Sequence, residues 1–263
     1  MTPGPGNVAL VIADNSDQYT LAGTNTWIVM DTRRGCAVLV DPGPHDPAHL
    51  RAIDQQLALH AVRLEAIVVT HGHDDHSDAV DAAHRRWDVP VHAHDARHCR
   101  NAPLLRGGSV VGSGKAELHC IYTPGHTSDS VSFYAPSARA VLTGDTVLGG
   151  STTMLDFPDG SLDSYLSSLE TLRDTAVAES VQWILPGHGH VCTDVIGDVQ
   201  AVAARRRERL GQVEQLLLER TRTDEELVDV IYPGITPALR EGALQNTAAA
   251  RAFLAARQTS HGC

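Results

Sequence analysis

The chain is short of positive charge. Its 263 residues hold 21 lysines and arginines against 32 aspartates and glutamates, a formal net charge of −11. An acidic surface repels phosphate backbones, so general nucleic-acid binding is disfavoured from the outset. Long hydrophobic runs are also missing. Apolar stretches extend over a handful of residues, too few for a membrane-crossing helix. The opening MTPGPGNVALVIADN lacks the basic and extended apolar regions of a secretory signal. The five cysteines (Cys36, Cys99, Cys120, Cys192, Cys263) are odd in number, far apart and never in a C-x-x-C pair. That usage predicts a reduced, cytoplasmic protein. What is present is a 42% apolar content, enough for a sizeable core, and 15 histidines.

Charge and texture both change near residue 200. Residues 1–200 carry 12 bases and 24 acids, and residues 201–263 carry 9 bases and 8 acids. The first part alternates short apolar, mostly β-branched or aromatic runs with polar loops. Strands are expected at Trp27–Met30, Ala37–Val40, Ala66–Thr70, Val89–Ala93, Leu118–Tyr122, Val131–Tyr134, Ala140–Thr143 and Val181–Leu185. Helices are expected at Pro47–His60, Asp78–Trp87 and Leu162–Asp174. This mixture predicts an α/β layered domain over residues 1–200. Residues 201–263 read as a helical module. Its segments run from about Asp198 to Arg220, from the capping-box pattern Thr223-Asp-Glu-Glu226 to the stop Tyr232-Pro-Gly234, and over Pro237–Arg257.

The densest feature is Thr70-His-Gly-His-Asp-Asp-His-Ser-Asp78, at the end of one expected strand. His71 and His73 are two apart, so in extended backbone they project to one side. Asp75 and His76 follow as the chain turns into a helix. Three histidines and an aspartate in an H-x-H-x-D-H pattern point to a metal site rather than a solvated loop. Other strand ends supply single candidates beside a glycine: His126 in Thr123-Pro-Gly-His126, Asp145 in Thr143-Gly-Asp145 and His188 in Pro186-Gly-His188. Each is weak alone. Their shared position makes a set of nitrogen and oxygen ligands suited to two borderline or hard ions.

These motifs resemble those of the metallo-β-lactamase superfamily. The resemblance also covers Gly23-Thr-Asn-Thr26, Val40-Asp-Pro-Gly43 and Leu142-Thr-Gly-Asp-Thr146. TPGHTSDSVSF, GDTVLGGSTT, YLSSLETL and LPGHG look like its β-lactamase-like protein 2 branch, near the glyoxalase II-like hydrolases. It implies a four-layer αβ/βα sandwich with a C-terminal winged-helix-like module. One metal would be held by His71, His73 and His126, the other by Asp75, His76 and His188, with Asp145 bridging. Zinc is the first choice, and manganese or iron suit the same ligands. The resemblance implies hydrolysis by a metal-bridging hydroxide, with Asp75 orienting it and shuttling a proton. In that resemblance the bridging aspartate disfavours antibiotic hydrolysis and favours the hydroxyacyl-glutathione, lactone or phosphodiester hydrolases, and a small ester, thioester or lactone is the expected substrate. Asn25 and, in the Gly149–Thr153 loop, Ser151 and Thr152 are candidate substrate contacts. The rival readings are a single-stranded RNA endonuclease and a non-enzymatic metal-binding protein.

Three other features carry less. His92 and His94 alternate on a strand but have no acidic partner at ligand spacing. Gly108–Lys115 fails as a phosphate loop because Ser109 stands where the first glycine is required. Arg205-Arg-Arg-Glu-Arg209 is the one dense basic run, read as a solvated helix face and as the place where an RNA contact would fall.

Overall fold

A computed structural model describes residues 4–260, so His261 and Cys263 lie outside the described residues. Two five-stranded sheets face each other. The first has the order β1 (Val8–Ile12), β2 (Asn25–Asp31), β3 (Cys36–Val40), β4 (Arg63–Val68), β5 (Val91–His92). Its first three strands are antiparallel, and β3, β4 and β5 are parallel. The second has the order β10 (Trp183–Pro186), β9 (Ala140–Gly144), β8 (Val131–Ala135), β7 (Leu118–Tyr122), β6 (Val110–Val111). It is antiparallel except for the β9–β10 pair.

Side-chain alternation assigns the layers. In β2, Trp27 and Val29 point between the sheets, while Ile28 and Met30 point outward. In β3, Val38 and Val40 face inward, and Ala37 and Leu39 outward. Both faces of these strands are buried, which is why they read as unbroken apolar runs. The outer face of the first sheet is covered by α1 (Pro47–Leu59) and, after the one-turn α2 (Asp74–Ser77), by α3 (Val80–Trp87). Leu50, Ile53, Leu57, Val80 and Ala83 fill that layer. A fully buried side chain such as Ile53 contributes roughly 1.5–3 kcal/mol.

The second sheet is covered by α4 (Leu162–Ala178), α5 (Val195–Glu219), α6 (Asp224–Ile231) and α7 (Pro237–Ser260). Tyr134, Val141 and Ile184 of the sheet, Leu169 and Leu172 of α4, Val199 and Val202 of α5, Leu227 of α6 and Leu254 of α7 form one continuous cluster. The layer order is helix, sheet, sheet, helix, the expected αβ/βα sandwich. The capping box of α6 is formed, with Thr223 and Glu226 bonding reciprocally. After α5 the described residues hold only α6 and α7, with no strand, so the resemblance to a winged helix extends to helices without a wing.

Strand direction places the site. β3 and β4 are parallel, β9 and β10 are parallel, and β7 runs with β9 because both are antiparallel to β8. The loops after these strands therefore emerge on one edge. There the sheets are tied together by Val131 N donating to Thr70 O at 2.8 Å and Asn25 N donating to Gly187 O at 2.7 Å.

Candidate metal centre

The edge loops bring all seven sequence-predicted ligands together. Three sets of possible ligand atoms converge: His71, His73 and His126; His71, His76 and Asp145; and Asp75, His76 and His188. His73 Nδ1 lies 3.2 Å from His71 Nε2 and 3.1 Å from His126 Nε2. Ligands at zinc–nitrogen distance in a tetrahedron stand about 3.3 Å apart, so the spacing suits a shared cation. His76 Nε2 and His188 Nε2 are 3.2 Å apart, and Asp75 Oδ2 lies 3.2 Å from His188 Nε2. Asp145 sits between the groups, 3.4 Å from His76 Nε2, 3.3 Å from His188 Nε2 and 3.8 Å from His126 Nε2.

The outward nitrogen of each ring fixes which nitrogen faces inward. His126 Nδ1 meets the Met154 carbonyl at 2.7 Å and His188 Nδ1 meets the Gly23 carbonyl at 3.3 Å. Carbonyls only accept, so both Nδ1 atoms carry hydrogen. His76 Nδ1 donates to Asp41 Oδ2 at 2.8 Å, and His73 Nε2 donates to Asp156 Oδ2 at 3.1 Å. Thr70 Oγ1 gives its only proton to Asp41 Oδ2 at 2.8 Å, so at 3.0 Å it accepts from His71 Nδ1. Five lone pairs are thereby turned inward onto two carboxylates. Asp145 Oδ1 is buried there without a hydrogen-bond donor. This donor set fits divalent cations, and the His/Asp clusters could hold them.

Electrostatics separate the two halves. Burial, reinforced by neighbouring imidazoles, holds His71 well below its ordinary pKa; burial likewise pushes His126 down to about 4, although Asp145 pulls the other way. Those rings prefer to be neutral, with lone pairs available. Burial also disfavours charge on His76 and His188, but Asp145 and Asp75 outweigh it. His76 is raised well above its usual value, and His188 is pushed up to about 9. Asp75 and Asp145 lie below the carboxylate range despite burial, because His76 and His188 hold them ionised. Positive charge is thus favoured between these four groups, whether proton or metal supplies it.

The cluster floors a cavity of about 750 Å³. Ser151 and Thr152 line it. Asn25 lies elsewhere: its amide donates to the Pro186 and Gly189 carbonyls at 3.0 Å and is buried behind the His188 turn. That turn also requires Gly187, where a Cβ would strike the Asp145 carboxylate and lie 2.7 Å from His76 Cε1. His94 faces away, its ring stacked on Tyr122 at 4.7 Å.

Sequence reasoning did not single out Asp41, Asp156, Thr24 or the far wall of the cavity. Asp41 carried a signal, since Val40-Asp-Pro-Gly43 repeats the strand-end-plus-glycine pattern of the ligands. Thr24 Oγ1 donates to Asp75 Oδ2 at 3.0 Å. The far wall is built by Tyr19, Tyr232, Ile235, Leu239, Ala243 and Asn246, which join a loop near the start of the chain to α7. Tyr19 Oη donates to the Ala238 carbonyl at 2.8 Å across that join. The basic run does not form one face: Arg206 is buried, Arg207 pairs with Glu170 at 3.1 Å, and Arg209 lies over the Tyr232 ring at 4.9 Å.

Residues 19–188 match the sequence model of the Metallo-beta-lactamase superfamily. A "Beta-lactamase-like protein 2 homolog" of Caenorhabditis elegans is 28% identical over 248 residues, covering 91% of this chain and 81% of the relative. An "Atrochrysone carboxyl ACP thioesterase" of Aspergillus chevalieri is 30% identical over 219 residues, covering 81% and 66%. Among solved structures, a metallo-beta-lactamase family protein of Thermus thermophilus superposes with a TM-score of 0.77 at 20% identity, covering 96% of this chain and 94% of that one.

Proposed function

Because the chain belongs to the metallo-β-lactamase superfamily and is a metal-dependent hydrolase, we propose that it uses two divalent ions, zinc foremost, to cleave a small ester, thioester or lactone. The observation that carries this reading is the set of five inward lone pairs around two ionised aspartates on the floor of a cavity. His71, His73 and His126 would hold one ion, Asp75, His76 and His188 the other, with Asp145 between them. Bound there, the ions would lower the pKa of water towards neutrality and polarise a carbonyl oxygen.

The chain's own groups do the positioning. Asp41, Asp156 and the Met154 and Gly23 carbonyls keep the five rings in the tautomers that ligation needs. Thr24 holds Asp75, whose ionised carboxylate can accept a hydrogen bond from the attacking water and carry its proton towards the leaving group. Ser151 and Thr152 border the space where substrate would sit. Among the described residues no helix is long and apolar enough to cross a membrane. The four described cysteines are unpaired, in keeping with a cytoplasmic setting.

Ribonuclease action is less well supported. Flanking phosphates need cations, and no lysine or arginine lines the cavity. Metal analysis of the purified chain should find two equivalents. A panel of thioester, lactone, phosphodiester and β-lactam substrates should show turnover on the thioester or lactone. His71→Ala and Asp145→Ala should abolish it together with metal content. Failure to bind two equivalents would sink the dinuclear reading, and full turnover and metal content in Asp75→Asn would remove the role of Asp75.

A further inference from the structure

The cavity has two unlike sides. Its floor holds Asp74, Asp75 and Asp145 with the inward imidazoles, and Asp17 lies at its edge. Its far wall presents Tyr19, Tyr232, Ile235, Leu239 and Ala243, facing Met154. Tyr19 and Leu239 are each 37% exposed, although both are large and apolar. Lone apolar side chains on a surface are ordinary, but several lining one concave wall mark a binding face.

The wall is built and held. Besides the bond from Tyr19 to Ala238, Gly242 N donates to Tyr19 Oη at 3.3 Å and Thr236 Oγ1 donates to Gln18 Oε1 at 2.9 Å. Behind it, Arg206 is buried and donates to Asn246 Oδ1 at 2.8 Å and to the Thr153 carbonyl, which joins α5, α7 and the loop carrying Ser151 and Thr152. Arg206 does not line the space. The chain's single lysine, Lys115, does not line it either. An anionic substituent far along the substrate's acyl part would therefore leave water for an apolar wall that offers no cation. That is an uncompensated burial of charge.

We infer that this wall is an acyl pocket selecting substrates whose acyl group is uncharged and apolar, of medium length, and that Leu239 is a specificity-determining residue. The inference rests on the ester or thioester reading above. In the reaction, water's oxygen bonds to the acyl carbon and the carbon–sulfur or carbon–oxygen bond breaks. The products are a carboxylic acid and a thiol or alcohol, with no other reactant.

The test compares kcat/KM of the metal-loaded enzyme on three N-acetylcysteamine thioesters: acetyl, octanoyl and 7-carboxyheptanoyl. Each methylene buried in the pocket is worth about fourfold, so octanoyl should exceed acetyl by at least about 100-fold. It should exceed the carboxylated chain by a similar margin. Leu239→Arg should invert the octanoyl to carboxyheptanoyl ratio, whereas Val177→Arg, on an exposed face of α4 away from the cavity, should leave it unchanged. The uncleaved octanoyl amide should raise the melting temperature of the loaded enzyme, and Leu239→Arg should abolish that rise. Equal rates on all three thioesters would overturn the pocket and leave the hydrolase reading standing. Amide binding sensitive to Leu239→Arg without turnover of any thioester would support the pocket and remove the hydrolase reading.

Discussion

Asp41 shows how much a single buried carboxylate controls here. It is 2% exposed and sits at a φ of +58°, a conformation that asparagine shares readily. One oxygen accepts from Thr70 N at 2.7 Å, and the other accepts from Thr70 Oγ1 and His76 Nδ1. In Asp41→Asn an amide NH₂ must face one of these donors. If Thr70 keeps its acceptor, His76 is left with its hydrogen on Nε2, where ligation needs a lone pair. The variant should fold but hold the ion at Asp75, His76 and His188 about 10- to 100-fold more weakly. Chelator competition followed by metal analysis would show this as early loss of one equivalent, and simultaneous loss of both would contradict it. At this scale the seven candidate ligands were legible because their residue types and strand-end positions are written in the chain. Asp41 was legible only as part of a turn. The Met154 and Gly23 carbonyls were not legible at all, because every residue has a carbonyl and only the fold says where it points.

Elements came through where burial imposes a pattern. Leu118–Tyr122 has its expected bounds, β2 extends its expected run by three residues and β3 by one. The expected strand at Val89–Ala93 shrinks to Val91–His92 at the sheet edge, where β4 pairs with it along one side and a single bridge from Val91 to Arg100 meets the other. β1 is the opposite edge, partly exposed and without clean alternation, and β6 has two residues, too few to carry a period. The part of α7 in the cavity escaped notice because Leu239, Gly242 and Ala243 look like any packed helix face. Arg206 of α5 looked like part of a solvated basic face. It is instead the link between that helix and the loop whose Met154 carbonyl orients His126. Arg206→Met should cost roughly 1–3 kcal/mol in urea unfolding through the stranded Thr153 carbonyl. It should also speed loss of metal from His71, His73 and His126 about tenfold. Unchanged metal release would mean that the loop keeps its place unaided.

For the whole molecule, the two halves of the centre make opposite demands on pH. His126, pushed down to about 4, contributes stability present above its ordinary 6.5 and lost as pH falls towards 4. His188, pushed up to about 9, contributes stability present below 6.5 and lost as pH rises through 9. The chelated chain should therefore melt highest near pH 6.5 as far as these rings decide it. Metal competes with the proton on His188, so the melting-temperature gap between loaded and chelated protein should widen from pH 6.5 to 8.5. Calorimetry across that range checks it, and a constant gap would argue against ligation by His188. The bond from Tyr19 to Ala238 has a further consequence, for the order in which the chain is made. On the ribosome His188 emerges while the helix that closes the cavity is still untranslated, and the intervening stretch takes on the order of several seconds to synthesise. A nascent chain can thus bring its candidate ligand residues together before the cavity is complete. The cavity's far wall closes only when α7 docks against the Tyr19 loop.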